Sequence, residues 1–494
     1  MRWKAWRASG AGFRRRVTYA FTVLAGVLAM SACMVGPKYA KPAVPAAPAY
    51  IEPPPESFTE SAGWKQADPA DTTLRADWWQ VFGIVELNRL EAQIDPNNQN
   101  LKAAEARFRQ ARALIQVNRS NLYPTISTSP AITTNRLSAN SPAGSVRGDY
   151  GEYTLPIDTN YELDVWGRIR RSVNAAREET QASAADLETV RLSLHAELAI
   201  DYFEMRALDA DKKLLDETMV AYQKALELTQ NRYDGGLSSK AEVAQARTQL
   251  ETTRAQDIGV GVSRETYQHA IAVLIGRNPE SLSLEPSPLN YVPPPIPVGV
   301  PAQLLERRPD IAAAERRVAG ANEQIGIARA AFFPQLLITA AGGFLGNTPV
   351  DWLNWPSRFW SVGPALAETL FDAGRRRAQS ESALAAYDEA VANYRQTALA
   401  AFQDVEDNLA TLRILEEQQH AQRVAVEAAR QSLDLSMNRY RGGLVTYLEV
   451  ISAQSIDLQD EYTEVDILRR RMDASVLLIK ALGGGWDVSK LPKT

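Results

Sequence analysis

The sequence predicts a mainly α-helical protein, built as a duplicated unit and carrying a small β part suited to a membrane. Two stretches, Arg168 to Asp234 and Arg375 to Arg441, contain neither glycine nor proline. Each reads as one unbroken helix of about 100 Å at a rise of about 1.5 Å per residue. The heptapeptides "NRYDGGL" at 231–237 and "NRYRGGL" at 438–444 close these stretches and mark a repeat. Four short segments with partial alternation, and with Tyr, Phe and Trp near their ends, read as strands, two to each repeat.

From the amino end, Arg2, Lys4, Arg7, Arg14, Arg15 and Arg16 precede the apolar run "VTYAFTVLAGVLAM" at 17–30. The run is short for a membrane span, which takes roughly 20 residues, so residues 1–32 read as a removable export signal. "SAC" follows, and Cys33 is the only cysteine of the chain. Small residues before a lone cysteine at this place resemble a bacterial lipoprotein start, which implies lipid attachment at Cys33. Met34 stands where an Asp would favour retention at the inner membrane, so this start points to the outer one. The six bases leave with the signal and no acid does, so the net charge of −5 becomes more negative. A nucleic acid partner is therefore not expected.

Residues 33–75 are rich in Pro and Ala and lack periodicity, which predicts an extended strap leading away from the lipid. The first repeat spans 76–290, a Pro-rich linker 291–308, and the second repeat 309–494. "LKAAEARFRQARA" at 101–113 lies over "IAAAERRVAGANE" at 311–323, and Tyr233 over Tyr440. Each repeat reads as a helix ending at a Pro, two strands, a long helix (168–234, 375–441) and a return helix (237–276, 444–482). Rods of this length must pack along other rods. Met205, Met219, Leu226 and Tyr233, and one repeat later Leu412, Val426, Leu433 and Tyr440, supply a seven-residue apolar frame. Lys212 and Gln419 interrupt it.

The strands fall near 124–137, 150–163, 335–346 and 358–371. Four strands cannot close a barrel, and an open edge in lipid leaves backbone groups unpaired at several kcal/mol each. Closure then requires other copies. Three copies give a twelve-stranded β-barrel, an even number with room for a lumen, continued by a long α-helical barrel.

At this point the residues resemble a family. "CMVGPKYAKP", "ADWWQVFG" at 76–83, "YELDVWGRIRR" at 161–171, "LLERRPDIAAAE" at 304–315, "LFDAGRRR" at 370–377 and the two "NRYxGGL" turns are similar to the TolC-type outer membrane factors, nearest the NodT-like lipoproteins of resistance-nodulation-division (RND) efflux systems. The resemblance implies a homotrimer in the outer membrane of a Gram-negative bacterium, anchored by acyl groups and reaching through the periplasm. It further implies a periplasmic adaptor and an inner-membrane RND transporter as partners. The Gly-containing turns, Gly235, Gly236, Leu237, Gly442, Gly443 and Leu444, would sit at the periplasmic tip where the adaptor docks. Glu242, Glu449, Tyr440, Asp234 and Arg441 would line or close that tip. Val445 stands where the family's closing Arg would be and Ser452 where a second ring acid would be, so the closing network must differ. Asp234 against Arg441, the one difference between the two heptapeptides, suggests a charge pair between neighbouring hairpins.

Catalytic chemistry is not evident. His195, His269 and His420 stand apart, each read as a surface or seam residue. "GVG" at 259–261 lacks the strand and third glycine of a nucleotide loop and reads as a loosened place in the return helix. No cofactor or metal is expected. The function predicted is a passive exit duct for small molecules. A duct for type I protein secretion or a periplasmic coiled-coil tether are the rivals, and a tether would not account for two strand pairs.

Overall fold

The computed structural model describes residues 34–53, 55, 77–136, 138, 149–296, 298, 301, 304–486, 489 and 491–492. Cys33, the export signal and residues 56–76 lie outside the described residues. After a 3-10 turn at Trp78–Phe82 come α1 (Val85–Glu91), α2 (Ile94–Asn97) and α3 (Gln99–Ser120). The first strand region, β1 (Thr125–Thr128), β2 (Ala131–Arg136) and β3 (Asp149–Leu163), is followed by α4 (Arg168–Asp234) and α5 (Lys240–Leu274). The second half runs α6 (Leu304–Arg307), α7 (Pro309–Ala330), β4 (Gln335–Gly346), β5 (Arg358–Ala367), α8 (Arg375–Arg441) and α9 (Tyr447–Ala481). Duplication shows in the lengths: α3 and α7 have 22 residues each, α4 and α8 67 each, α5 and α9 35 each.

The same chemistry starts and stops both long helices. Asp164 accepts from the amides of Ile169 and Arg170, both at 2.9 Å, and Asp372 accepts from the amide of Arg376 at 3.3 Å. Each acid fills orphan donors of a first helical turn whose entry glycine, Gly167 or Gly374, has positive φ. At the far end Gly236 (φ 73°) and Gly443 (φ 72°) are left-handed. The amides of Leu237 and Leu444 donate back to the carbonyls of Arg232 (2.8 Å) and Arg439 (2.9 Å). That is a Schellman reversal, which requires the second glycine of each pair and not the first.

Helices α3, α4, α7 and α8 lie side by side near the sheet, and α5, α4, α9 and α8 do so farther away. The main core is a belt around the middle of the rods. There Trp78, Trp79, Leu87 and Ile94 pack on Leu198, Tyr202 and Phe203 of α4, on Met472 to Ile479 of α9, and on Leu284 and Leu289 of the segment that follows α5. Arg206, fully buried, donates to Asp209 Oδ2 and to the Glu285 carbonyl, both at 2.7 Å. Arg264 reaches the other oxygen of Asp209 at 2.6 Å and the Leu284 carbonyl at 2.7 Å. This network pins the segment that follows α5 to the rods.

Several expectations are corrected. The first strand is broken at Ser129–Pro130, because a proline offers no amide to the ladder. The last ends at Ala367 and not at 371, ahead of the turn that Asp372 organises. The return helices begin at Lys240 and Tyr447, after their N-caps Ser239 and Thr446, and end at Leu274 and Ala481 before the left-handed Gly276 and Gly483. A short helix, α6, interrupts the linker. "GVG" does not loosen α5, which is continuous through it with open space around both glycines. The seven-residue frame is buried at Leu412, Val426 and Tyr440, but in the first repeat Tyr233 is 40% exposed; Tyr222, Ala225 and Thr229 form the buried stripe instead. Gln419 is buried and accepts from Arg471, and Lys212 reaches Asp257 at 2.7 Å.

Candidate channel wall and tip

The strands form one antiparallel sheet in the order β1/β2, β3, β4, β5, with β1 and β2 end to end on β3. The break keeps register: Thr128 opposes Ile157 and Ala131 opposes Thr154. Directly paired residues share a face. One face therefore carries Ile126, Ile132, Tyr153, Leu155, Ile157, Tyr161, Leu163, Ile338, Phe344, Trp360, Val362 and Leu366. The other carries Thr125, Ser127, Glu152, Thr154, Asp158, Asn160, Glu162, Thr339 and Ser361 and is mainly polar, with Leu337, Leu345 and Phe359 the large apolar residues on it. In a single chain much of the apolar face is uncovered: Ile126 is 70% and Trp360 77% exposed. An apolar band backed by a polar face is what a sheet between lipid and water needs.

Aromatic groups mark both ends of the sheet. At the helix end Trp166 stacks on Phe333 at 4.6 Å and donates to the Pro334 carbonyl at 2.8 Å. At the loop end Tyr153 lies against Trp352 at 5.7 Å. Such pairs suit the two interfaces of a bilayer. Among the described residues no helix is long and apolar enough to cross a membrane. β1/β2 and β5 remain the free edges of the sheet.

The strap leaves this end of the molecule and follows the rods. The Val35 amide donates to the Trp166 carbonyl at 3.1 Å, and Tyr39 donates to Glu315 at 2.5 Å. The amides of Ile51 and Glu52 end on Glu406 of α8 at 2.8 and 3.0 Å, about 45 Å down that helix.

At the opposite end the two hairpins meet around Tyr440. Its hydroxyl lies 3.3 Å from both Thr229 Oγ1 and Glu242 Oε2, and the Ser238 hydroxyl donates to the same carboxylate at 2.5 Å. Tyr440 packs on Tyr447 at 5.3 Å within a small cluster containing Ala225, Ala246 and Val450. An arginine does stand at this tyrosine, from α4 rather than from position 445. The Arg232 guanidinium lies 4.6 Å above the Tyr440 ring and donates to the carbonyls of Tyr440 (3.0 Å) and Arg441 (3.2 Å). A cation on the terminal carbonyls of α8 complements that helix end.

Of the predicted tip residues, Glu242 and Tyr440 are thus brought together. Glu449 pairs instead with Arg439 at 3.4 Å, both about half exposed. Asp234 and Arg441 do not pair within the chain: Asp234 accepts from Gln230 at 2.9 Å, and Arg441 donates to Asn438 at 3.5 Å. Leu237 and Leu444, beside Gly235, Gly236, Gly442 and Gly443, are 74% and 75% exposed. Thr229, Arg232 and Ser238 are additional tip residues, and the doubled Arg-Tyr pair at 232–233 and 439–440 is the sequence signal for them.

His195 is neither a surface nor a seam residue. It is buried, stacked on Trp79 at 4.3 Å, with Nδ1 2.6 Å from Glu91 Oε2 and Nε2 3.4 Å from Asp95. Burial pushes the Glu91 carboxyl up to about 7 against the pull of His195. Burial also opposes charge on His195, but the bonds to Asp95 and Glu91 outweigh it and hold the imidazole above its ordinary value. Among the described residues there is no cluster of three or more His, Cys, Asp or Glu able to hold a metal ion.

Two stretches, residues 92–277 and 300–484, match the family model described as "Outer membrane efflux protein". The chain belongs to the outer membrane efflux protein family. The two matched stretches correspond to the two structural repeats. The chain is 32% identical over 482 residues to the toluene efflux pump outer membrane protein TtgF of Pseudomonas putida, covering 94% of this chain and 97% of that protein. It is 31% identical over 427 residues to the pyoverdine export outer membrane protein OpmQ of Pseudomonas aeruginosa, covering 85% and 90%. Among solved structures, that of the outer-membrane channel OprN superposes with a TM-score of 0.82 at 29% identity, over 92% of this chain and 100% of that one. These relatives are channel and efflux pump components. The outer membrane efflux fold accounts for a membrane sheet at one end, a pair of hairpin tips at the other, and rods joining them.

Proposed function

We propose that three copies of this outer membrane efflux protein assemble into a passive duct, the exit component of a tripartite pump. The observation that carries this reading is the open sheet, apolar on one face and polar on the other, continued without interruption by rods of about 100 Å. Its strands alternate in direction, so β5 of one copy pairs antiparallel with β1/β2 of the next. Two copies would give eight strands, whose interior side chains fill; three give twelve and leave a lumen.

The signal 1–32 directs export, acyl groups on Cys33 anchor the chain in outer membrane lipid, and the strap leads down the rods. A periplasmic adaptor docks at the tip turns, with Leu237 and Leu444 as its exposed apolar contacts, and an inner-membrane RND-type transporter supplies the energy. Opening separates the hairpins held at Tyr440 by Arg232, Thr229 and Glu242. Small molecules are the cargo, by analogy with the relatives named for toluene efflux and pyoverdine export.

Deleting the gene and measuring susceptibility to solvents, dyes, antibiotics and metals tests this. Increased susceptibility to small molecules, restored by the wild-type gene, is expected. An unchanged profile together with loss of one secreted protein would replace efflux by protein secretion.

A further inference from the structure

Four of the groups that join the two hairpins around Tyr440 occur a second time, one repeat away, and there they do not join two hairpins. Shifting Arg232, Thr229 and Glu242 forward by one repeat gives Arg439, Ser436 and Glu449, and shifting Tyr440 back gives Tyr233. The chemistry is retained at every position: a guanidinium, an aliphatic hydroxyl, a carboxylate and a phenol. Their surroundings differ. Tyr440 is 1% exposed and Tyr233 is 40% exposed, while Arg439 and Glu449 turn to each other at the surface.

The reason lies in the order of the rods. Within the chain α4 packs on α9, where the Tyr222 hydroxyl donates to the Gln454 carbonyl at 3.3 Å and Tyr447, Val450 and Gln454 are buried. One repeat earlier, Lys240, Val243 and Arg247 of α5 hold the equivalent positions, and they line an open groove of about 700 Å³. A single chain has no second α8 to lay against it. Each chain thus makes the hairpin contact once and carries the two halves of another on opposite flanks.

We propose that Tyr233 of a second copy seats between Arg439, Ser436 and Glu449, repeating between chains the latch that Tyr440 makes within one. The proposal rests on the ring assembly above and adds the contact that closes it. Arg439 lies over the ring of Tyr233 and caps the terminal carbonyls of the neighbouring α4, as Arg232 caps α8. The two latches are not identical. Asp234 follows Tyr233 where Arg441 follows Tyr440, so the interchain latch gains an opposite charge beside its arginine and the intrachain one a like charge. Val445 stands at the position equivalent to Ser238, so Glu449 lacks the hydroxyl that holds Glu242. The interchain latch therefore leans more on charge and weakens more with salt.

Paired cysteines test this in the full-length lipoprotein, purified in detergent. Tyr233→Cys with Ser436→Cys, treated with a short bifunctional thiol reagent, should shift the denatured chain to two- and three-chain masses. Thr229→Cys with Tyr440→Cys should stay at one-chain mass with an internal link found by mass spectrometry. A Tyr233/Ser436 pair remaining at one-chain mass, in a sample that light scattering shows to hold three chains, overturns the contact and leaves the assembly standing. A sample of single chains in detergent and in membranes overturns both. As a second readout, Arg439→Asp should raise basal conductance and adding Asp234→Arg should lower it again; absence of that recovery overturns the charge pairing.

Discussion

Arg232→Ala removes one side chain from the tip and nothing from the core. The guanidinium contributes a cation–π contact at 4.6 Å and two bonds to the terminal carbonyls of α8 at 3.0 and 3.2 Å. A half-exposed cation–π contact is worth about 0.5–1 kcal/mol, and a cation on a helix terminus about 0.3–1 kcal/mol. The hairpins should therefore be held less tightly by about 1–2 kcal/mol, and about 1.4 kcal/mol is a tenfold change in an equilibrium. Purified protein in a planar bilayer should show open events roughly tenfold more often than wild type. Arg232→Lys, which keeps the charge and loses the planar fork, should fall between. Wild-type opening in Arg232→Ala, with the assembly intact, would refute the role assigned to this arginine.

Gly343→Ala should cost about 3 kcal/mol through overpacking, since the added methyl would lie 2.0 Å from the Leu155 carbonyl oxygen beside Pro156; assembled protein in the outer membrane should fall, whereas Gly363→Ala, in open space, should not change it. Asp209→Ala leaves the buried Arg206 and Arg264 without the carboxylate they share, a loss of about 3–5 kcal/mol that should lower the thermal midpoint; an unchanged midpoint would show the network to be dispensable. The Glu91–His195 pair ties stability to pH. Both groups have raised pKa values in the folded chain, so it holds more protons than the unfolded chain as pH rises from 4.5 to about 7. Stability contributed by the pair is present at the acid end and lost as pH rises through about 7. Glu91→Gln should flatten that fall in the thermal midpoint, and an unaltered slope would contradict it.

Rod length was legible because a helix of this length needs only the absence of breakers, and Arg168 to Asp234 contains none. The hairpin ends were legible because a left-handed residue is required at Gly236 and Gly443. Which seam is buried was not: a seven-residue frame names a face but not the neighbour lying on it. Tyr233 and Tyr440 therefore read alike, although only Tyr440 finds its neighbour within the chain. Arg232 was missed because a cation in the last turn of a helix reads as a solvated dipole partner until the second hairpin is placed beside it. The same holds for His195, whose partner Glu91 lies 104 residues away on a short helix. The two faces of the sheet were blurred by Pro156, Gly342 and Gly343 and became distinct only through the register.

The central claim, that the sheet and rods together form a continuous passive duct, is tested most directly by conductance. Assembled protein reconstituted in a planar bilayer should produce discrete current steps without any energy source, and more frequent ones in Arg232→Ala. A flat trace from correctly folded, three-chain protein, in wild type and in Arg232→Ala alike, would contradict the account.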